Sequence, residues 1–302
     1  MTETAKKIKQ LKEEKDVLIL AHYYVDEEVQ KIADCVGDSY YLSEKAVEAK
    51  EQAILFCGVS FMGESAKILN KDKLVLMPDP EADCPMAHMA QAEKIRRVRE
   101  EYEDLAVVCY INSTAELKRH ADVCVTSSNA MKIVSSLPNK NILFIPDENL
   151  GRYIASKLQE KNFIFNDGYC YVHKEITRDD VLQAKKKWPD AQVLAHPECT
   201  MAVLEEADYV GSTSGIIAKA GESDAREFII CTETGVFYEL QKNNPDKVFH
   251  AAKEEQICSG MKRITLEKVL STLEKMDQQV EMSESVRTEA QRPLTRMLEL
   301  AK

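Results

Sequence analysis

The sequence lacks the features that define membrane, secreted and nucleic-acid-binding proteins. No apolar run approaches the ~18 residues of a membrane-spanning helix, and residues 1–15 lack an apolar signal-peptide core. No basic stretch occurs, and 40 Lys and Arg against 51 Asp and Glu leave a net charge of −11. Such a charge disfavours sequence-independent binding to nucleic acid. These absences predict a cytoplasmic protein without membrane or nucleic-acid partners.

Nucleotide-binding motifs and paired cysteines are also missing. No GxGxxG sequence occurs, and the Walker-like segment 58–65 has Glu64 where the phosphate-binding lysine should be. The nine cysteines include no Cys-x-x-Cys pair, which argues against a zinc ribbon or a thioredoxin-type site. Because no secretory signal is found, the cysteines are expected to be reduced thiols.

What the sequence contains is a polar unit that recurs three times. In each copy a His or Tyr is followed by Ser or Thr after 17 residues and by Cys after 60 to 62 residues. The three copies are His22, Ser39 and Cys84; Tyr110, Ser127 and Cys170; and His196, Thr213 and Cys258. This recurrence predicts three similar structural modules. Modules arranged around a common axis would bring three distant cysteines to one metal site.

Each module is predicted to have the order β-α-β-α-β. Its strands are short continuous apolar runs, which are typical of parallel strands buried on both faces. Their alternation with amphipathic helices predicts α/β layers. In the first copy the strands are predicted at 17–22, 53–58 and 73–77, and the helices near 26–35, 40–51 and 61–69.

Both ends of the chain are predicted to form helices outside the repeats. Ile8 and Leu11 have the spacing of one helix face. Pro293 is expected in the first turn of a last helix, where its missing N–H costs nothing. A preceding tail helix is predicted from the spacing of Leu266, Val269, Leu270 and Leu273.

The carboxyl ends of the predicted strands carry polar residues suited to catalysis. His22, Tyr110 and His196 occupy these ends, where ligands bind in open parallel sheets. The three-residue segments that begin there supply His, Tyr and Glu side chains as acid–base groups. Glu198 is the candidate general base among them.

Hydroxyl-rich segments follow the same strands. They lie at 37–39, 126–129 and 212–215, each before a predicted helix. Hydroxyls and free N–H groups at a helix start are able to bind carboxylate or phosphate. Simple helix capping would explain one such segment, but three equivalent copies favour ligand binding.

The recurrent cysteines are candidates for a shared metal site. Three thiolates are able to bind zinc with a fourth ligand, or an iron–sulfur cube with one iron lacking a protein ligand. Their spacings of 86 and 88 residues favour a cofactor at a domain junction over a local zinc knuckle. In the iron–sulfur case, the open iron is predicted to be catalytic.

Other cysteines and histidines receive a structural interpretation. His173 follows Cys170 by three residues and could lie near the site, but it is given less weight. The remaining histidines are expected to be structural: His88, His120 and His250. Six cysteines in or beside apolar runs are expected to be small buried residues: Cys35, Cys57, Cys109, Cys124, Cys199 and Cys231.

Along nearly its whole length the chain resembles the quinolinate synthase (NadA) family. The resemblance is carried by AHYYVDEEVQKIADCVGDS, CGVSFMGESAKIL, TSSNAMKIV, PDENLGRYIA, HPEC and ADYVGSTSGII. It implies three α/β/α-layered domains with short parallel sheets, related by pseudo-threefold symmetry around a central active site. Together with the repeat, it predicts domains at 1–86, 87–172 and 173–260 and a helical tail at 261–302.

The resemblance also implies an activity and its site. The family condenses iminoaspartate with dihydroxyacetone phosphate to form quinolinate for NAD biosynthesis, releasing phosphate and water. It implies one 4Fe-4S cluster on Cys84, Cys170 and Cys258, and a functional link to the enzyme supplying iminoaspartate. Matching substrate-contact positions are His22, Ser39, Tyr110, Ile111, Asn112, Ser127, His196, Pro197, Glu198 and Thr213. The predicted catalytic residues are His22, Tyr24, Tyr110, His196 and Glu198.

Two other functions are compatible with a cluster on this scaffold. One is another 4Fe-4S-dependent hydro-lyase, and the other is a non-catalytic iron–sulfur sensor. A sensor needs a partner surface, but no basic or exposed apolar motif indicates one. A sensor also has no need of acid–base residues at three strand ends, so the synthase is favoured.

Overall fold

The computed structural model describes residues 2–302, so residue 1 of the predicted repeat 1–86 lies outside the described residues. The described chain forms three separate four-stranded parallel sheets with helices around them, which confirms the predicted α/β class. The sheets span 17–76, 105–165 and 192–251. We call each sheet, together with the helices around it, the first, second or third module. Their exact domain boundaries and the symmetry axis stay predictions.

The three sheets share one topology. In each, the first strand lies between the second and the third, and the fourth strand pairs with the third. The first sheet consists of β1 (Val17–His22), β2 (Cys35–Gly37), β3 (Ala53–Cys57) and β4 (Leu74–Leu76). The second consists of β5 (Leu105–Tyr110), β6 (Val123–Val125), β7 (Asn141–Ile145) and β8 (Asn162–Phe165). The third consists of β9 (Gln192–Ala195), β10 (Tyr209–Val210), β11 (Glu227–Cys231) and β12 (Val248–Ala251).

Helices connect the strands and cover the sheets. The first module has α1 (Glu3–Glu14), α2 (Glu27–Gln30), α3 (Ser39–Glu48) and α4 (Ser60–Leu69). The second has α5 (Ala92–Glu101), α6 (Ala115–Lys118), α7 (Ala130–Ser136), α8 (Glu148–Lys157) and α9 (Tyr171–Lys174). The third has α10 (Arg178–Lys187), α11 (Met201–Leu204), α12 (Thr213–Glu222) and α13 (Phe237–Asn243). No helix within residues 2–302 is long and apolar enough to cross a membrane.

The prediction of three strands in each module was wrong, because every sheet has a fourth. In the first copy a single helix was predicted at 26–35, but the structure has the short helix α2 followed by β2. Asp34 explains the change. Its backbone N–H donates to the carbonyl of Ile19, and its carboxylate accepts from the backbone N–H of Ile19, both at 2.9 Å. These bonds turn the chain out of the helix and place it alongside β1.

The same turn occurs in all three modules. Asp122 Oδ2 accepts from Val107 N, and Asp208 Oδ2 accepts from Val193 N, both at 2.8 Å. As with Asp34, each aspartate lies 15 residues after its partner. The 15-residue spacing found in all three modules therefore reflects a repeated hydrogen-bond geometry as well as a repeated sequence.

The modules differ in how their apolar cores are connected. One continuous core contains the strands of the first and second modules together with Ile8 of α1 and residues of the tail. The third module has two cores of its own, one on each face of its sheet. Val193 and Ile229 belong to one, and Leu194 and Phe228 belong to the other. Neighbouring residues on these strands thus face opposite helix layers.

The tail consists of α14 (Leu266–Lys275) and α15 (Glu284–Leu300). The predicted helix faces are confirmed: Ile8 of α1 is buried, as are Leu266, Val269 and Leu273 of α14, and the two helices pack together. The placement of Pro293 was wrong, because α15 begins nine residues earlier, at Glu284. An internal proline removes a backbone hydrogen bond. Pro293 is buried against the core with its neighbours, and this packing offsets the loss.

Candidate active site

The carboxyl ends of the three sheets surround one cavity. Every module contributes polar side chains to its wall: His22, Tyr24 and Ser39 from the first; Tyr110, Asn112 and Ser127 from the second; His196, Glu198 and Thr213 from the third. Cys84, Cys170 and Cys258 line the same cavity. Of the predicted contact residues, Ile111 and Pro197 are buried and are not part of the wall formed by the described chain.

His22 and His196 have equivalent surroundings in the first and third modules. Each ring accepts at Nδ1 a hydrogen bond from the backbone N–H two residues later, from Tyr24 at 3.2 Å and from Glu198 at 3.3 Å. Burial lowers the pKa of both histidines to about 3. The rings are therefore neutral at pH 7 and carry their proton on Nε2. In His196 this nitrogen lies 3.1 Å from Ser127 Oγ, to which it donates.

Tyr24 and Tyr110 supply neutral phenols to the cavity. Burial, reinforced by the nearby Glu198 carboxylate, raises the pKa of both tyrosines well above the ordinary value. The Tyr24 hydroxyl lies 2.7 Å from the side-chain oxygens of Thr213 and Thr232. Both phenols are thus protonated at neutral pH and are able to act as hydrogen-bond donors or acids.

Glu198 is an ionised carboxylate in the wall. Burial alone would raise its pKa, but His173, His196 and Tyr110 outweigh burial and lower it to about 2. Its Oε1 atom is buried and finds no hydrogen-bond partner among residues 2–302. An ionised oxygen with a free lone pair, beside neutral phenols, has the arrangement required of a general base.

His173, which the sequence analysis gave little weight, is part of this site. Its Nδ1 atom lies 2.7 Å from Glu198 Oε2 and 3.2 Å from Cys170 Sγ. Its ring stacks on that of His196 with centroids 4.6 Å apart. The sequence signal for this position is the Cys-x-x-His spacing. The helix α9 begins directly after Cys170, and its single turn brings His173 back beside the thiol.

The other three histidines and the other six cysteines are not part of the cavity wall formed by residues 2–302. His88 pairs with Asp83 on the surface, and His250 stacks on Trp188 with centroids 3.9 Å apart. Five of the six remaining cysteines are buried, whereas Cys35 at the start of β2 is partly exposed. Cys35 lies on a strand at the edge of its sheet, which leaves one side uncovered.

The three recurrent cysteines lie in loops beyond the fourth strands. Cys84 and Cys170 directly precede short helical turns, and Cys258 lies between β12 and a 3₁₀ helix at Met261–Arg263. Burial raises the pKa of all three thiols. Backbone N–H groups two or three residues later oppose this effect in each case: Met86, Ala87, His173, Gly260 and Met261.

This environment fits a bound soft metal. Buried thiols with N–H groups directed at sulfur become favourable thiolates when a metal supplies positive charge. Cys170, His173 and Glu198 also place one potential ligand atom each within 4.8 Å of one another. The site therefore has the capacity to bind metal, with cysteine sulfur and neighbouring His and Glu as donors.

The hydroxyl-rich segments begin helices, as predicted. Asp38 caps α3 by accepting from Tyr41 N at 3.0 Å, and Ser212 caps α12 by accepting from Gly215 N at 3.1 Å. Asp38 also accepts from Ser214 Oγ at 2.6 Å, which joins the first and third modules. Because neighbouring residues do the capping, the Ser39 and Thr213 side chains line the cavity, where the Thr213 hydroxyl lies 2.7 Å from the Tyr24 hydroxyl.

An ion pair between the buried Glu233 and the partly exposed Lys262 ties the loop of Cys258 to the loop of Tyr24. Lys262 Nζ lies 3.2 Å from Glu233 Oε1 and donates to the Tyr24 carbonyl at 2.8 Å. Glu233 Oε1 accepts from Cys258 N at 3.2 Å. Gly235 packs directly against the Tyr24 backbone, since an added Cβ at this position would lie only 2.7 Å from it. The first and third modules thus meet closely at the cavity.

Comparison with known proteins agrees with this geometry. A family model described as Quinolinate synthetase A protein (NadA) matches residues 6–299. The chain is 50% identical to quinolinate synthase of Clostridioides difficile, covering 97% of both chains. It is 52% identical to that of Fusobacterium nucleatum over 98% of both chains. It is 45% identical to quinolinate synthase 2 of Methanosarcina acetivorans, covering 98% of this chain and 96% of the other. The chain belongs to the quinolinate synthetase A (NadA) family.

Proposed function

We propose that this chain is a quinolinate synthase that condenses iminoaspartate with dihydroxyacetone phosphate, releasing phosphate and water. The observation that supports this most directly is the convergence of Cys84, Cys170 and Cys258 on the cavity that also holds Glu198 and the two phenols. A metal centre and acid–base groups in one cavity are what a condensation with dehydration requires. The product is a precursor for NAD biosynthesis.

The cofactor in this proposal is one 4Fe-4S cluster held by the three cysteines. The convergent thiols and the N–H groups near each sulfur support it. Such a cluster supplies an iron without a protein ligand, a Lewis acid that polarises a substrate carboxylate or hydroxyl. Zinc held by Cys170, His173 and Glu198 is the alternative that the donor set also permits.

The chain's own residues account for proton movement. Glu198, through its free Oε1, accepts a proton from the carbon of the triose phosphate that must enolise. The neutral phenol of Tyr110 donates a proton to an oxygen atom that leaves as water, while the Tyr24 phenol is held in the wall by Thr213 and Thr232. His22, neutral at pH 7, offers its Nε2–H to a substrate oxygen without adding charge, and His196 directs its Nε2–H to Ser127.

The same cavity offers positions for the anionic parts of both substrates. Ser39 and Thr213 begin α3 and α12, where backbone N–H groups and the helix dipole favour negative charge. Ser127 receives the N–H of His196 and presents its own hydroxyl proton. Asn112 Oδ1 is buried without a partner among the described residues, so it is available to a substrate N–H or O–H.

The test begins with anaerobic purification, a visible spectrum, and iron and sulfide analysis. We expect a brown protein with about four iron and four sulfide per chain, and quinolinate formed from both substrates by a chromatographic assay. Because iminoaspartate hydrolyses readily, an enzyme that generates it should be present in the assay. That requirement also supports a functional link between the two enzymes in the cell.

Three outcomes would contradict the proposal in different ways. A colourless protein containing zinc would contradict the cluster. A cluster-containing protein that dehydrates another substrate but makes no quinolinate would be a different hydro-lyase. A cluster-containing protein without turnover, but with cluster-dependent binding to another macromolecule, would be a sensor.

A further inference from the structure

We infer that Thr232 is a positioning residue of this active site, whose hydroxyl joins Tyr24 to the His173–Glu198 pair. The inference rests on the proposed function. Thr232 directly follows β11 and is fully buried. It is not part of the cavity wall formed by residues 2–302, so it acts through other side chains and not on the substrate.

The geometry places the Thr232 hydroxyl between two site residues. Its Oγ1 atom lies 2.7 Å from the Tyr24 hydroxyl and 2.8 Å from His173 Nε2. The opposite ring nitrogen of His173 lies 2.7 Å from Glu198 Oε2. These contacts form an unbroken chain from the first module to the candidate base in the third.

The hydrogen bonds in this chain have one direction. A carboxylate only accepts, so His173 Nδ1 donates to Glu198. With the ring proton on Nδ1, Nε2 accepts, and the Thr232 hydroxyl donates to it. Thr232 then accepts from the Tyr24 hydroxyl.

Thr213 lies at the far end of the chain, 2.7 Å from the Tyr24 oxygen. The Tyr24 proton is committed to Thr232, so the Thr213 hydroxyl donates to Tyr24. Every proton in the chain therefore points toward Glu198.

This order explains what Thr232 contributes. Its hydroxyl fixes which nitrogen of His173 carries the proton, and that nitrogen in turn holds the Glu198 carboxylate in place. It also fixes the phenol of Tyr24, which lies in another module, 208 residues before Thr232 in the sequence. Hydrogen bonds in such buried chains strengthen one another, and removing the Thr232 hydroxyl leaves His173 Nε2 without a partner and takes one of two partners from the Tyr24 hydroxyl.

The test compares Thr232→Val, which keeps the shape and removes the hydroxyl, with Thr232→Ser, which keeps the hydroxyl. Thr272→Val is the matched control, because Thr272 is a buried threonine in α14 outside the cavity wall. We expect Thr232→Val to lower kcat by about 10- to 100-fold, the effect of a lost buried hydrogen bond. KM and iron content should stay within about threefold. Thr232→Ser and Thr272→Val should stay within about threefold of wild-type kcat.

A double-mutant cycle with Tyr24→Phe keeps the inference testable if Thr232→Val is poorly stable. In a connected chain the second substitution adds little to the first, both in kcat and in the urea midpoint of unfolding. Additive effects in both measurements would overturn the inference, as would wild-type kcat in folded Thr232→Val. If the wild type makes no quinolinate, the proposed function fails, and the cycle in urea midpoints still decides whether Thr232 joins these residues.

Discussion

His173 Nδ1 lies 2.7 Å from Glu198 Oε2, and both side chains are almost fully buried. His173 belongs to α9, which follows the last strand of the second module, whereas Glu198 follows the first strand of the third. A buried carboxylate needs such a hydrogen-bond donor to stay ionised, because burial alone raises its pKa. The pair thus holds the candidate base ionised and joins two modules at the cavity.

Glu198→Gln is expected to lower kcat by at least about 100-fold, the lower range for a general acid–base group. The amide nearly conserves shape but cannot accept a proton from carbon. The measurement is quinolinate formation with iron content determined in parallel. Wild-type turnover in a variant with full iron content would show that Glu198 only shapes the cavity.

Tyr110→Phe should also lower kcat by about 100-fold or more, because it removes a neutral phenol beside Glu198. Folding should survive, since the ring and its packing remain. Tyr40→Phe, on the partly exposed face of α3, is the matched control and should leave kcat unchanged. Equal activity of the two variants would remove Tyr110 from the catalytic set.

Cys170→Ala is expected to abolish cluster retention and activity, because two cysteines anchor a cube poorly. Cys231→Ala is the control: that thiol is buried at the end of β11 and does not line the cavity within residues 2–302. It should cost packing only. Iron and sulfide analysis after anaerobic purification separates the two, and full iron content in Cys170→Ala would contradict the ligand assignment.

Acid is expected to destabilise the protein through His22 and His196. Burial lowers their pKa from 6.5 to about 3, so the unfolded chain binds more protons between these values. The free energy of unfolding must therefore fall as the pH drops from 6.5 toward 3. We expect a loss of about 2.5 kcal/mol per histidine between pH 7 and pH 4.5.

Urea unfolding at pH 7 and pH 4.5 measures this loss. The His22→Gln variant should lose less stability than the wild type over the same pH interval. His120→Gln replaces a partly exposed histidine outside the cavity, and it should behave like the wild type. A loss in His22→Gln as large as in the wild type would contradict the assignment.

Two glycines should respond in opposite ways to alanine. A Cβ on Gly235 would lie 2.7 Å from the Tyr24 backbone, so Gly235→Ala should destabilise by about 1–3 kcal/mol and lower activity by displacing Tyr24. Gly221 lies in α12, and the atom nearest to its added Cβ is 3.9 Å away. Gly221→Ala should therefore stabilise by about 0.5–1 kcal/mol. Thermal unfolding and kcat measured on both variants check this contrast.

The sequence predicted the fold where its signals were long or repeated. Runs such as Leu105–Tyr110 are continuous and apolar, and the buried central strands follow them. Short edge strands such as Tyr209–Val210 carry no readable periodicity, because two residues cannot establish one. They exist because an aspartate such as Asp208 turns the chain alongside its neighbour.

The site could be predicted to the level of segments but not of single side chains. Ile111 and Pro197, which were predicted to contact substrate, each lie between two wall residues and are buried outside the wall formed by residues 2–302. His173 and Thr232 were underrated or missed because their roles depend on neighbours in other modules. Thr232, for example, meets Tyr24 across 208 residues of sequence.

The distribution of the apolar cores has a mechanical consequence. The first and second modules and the tail share one core, so they should move as a single rigid body. The third module has its own cores and meets that body through Tyr153, which packs against cores of both, and through polar contacts such as Ser214 with Asp38. Water replaces polar contacts at far lower cost than it enters an apolar core. Relative motion should therefore concentrate at this seam, where the cavity lies, and the fold itself would provide an entrance without unfolding any module.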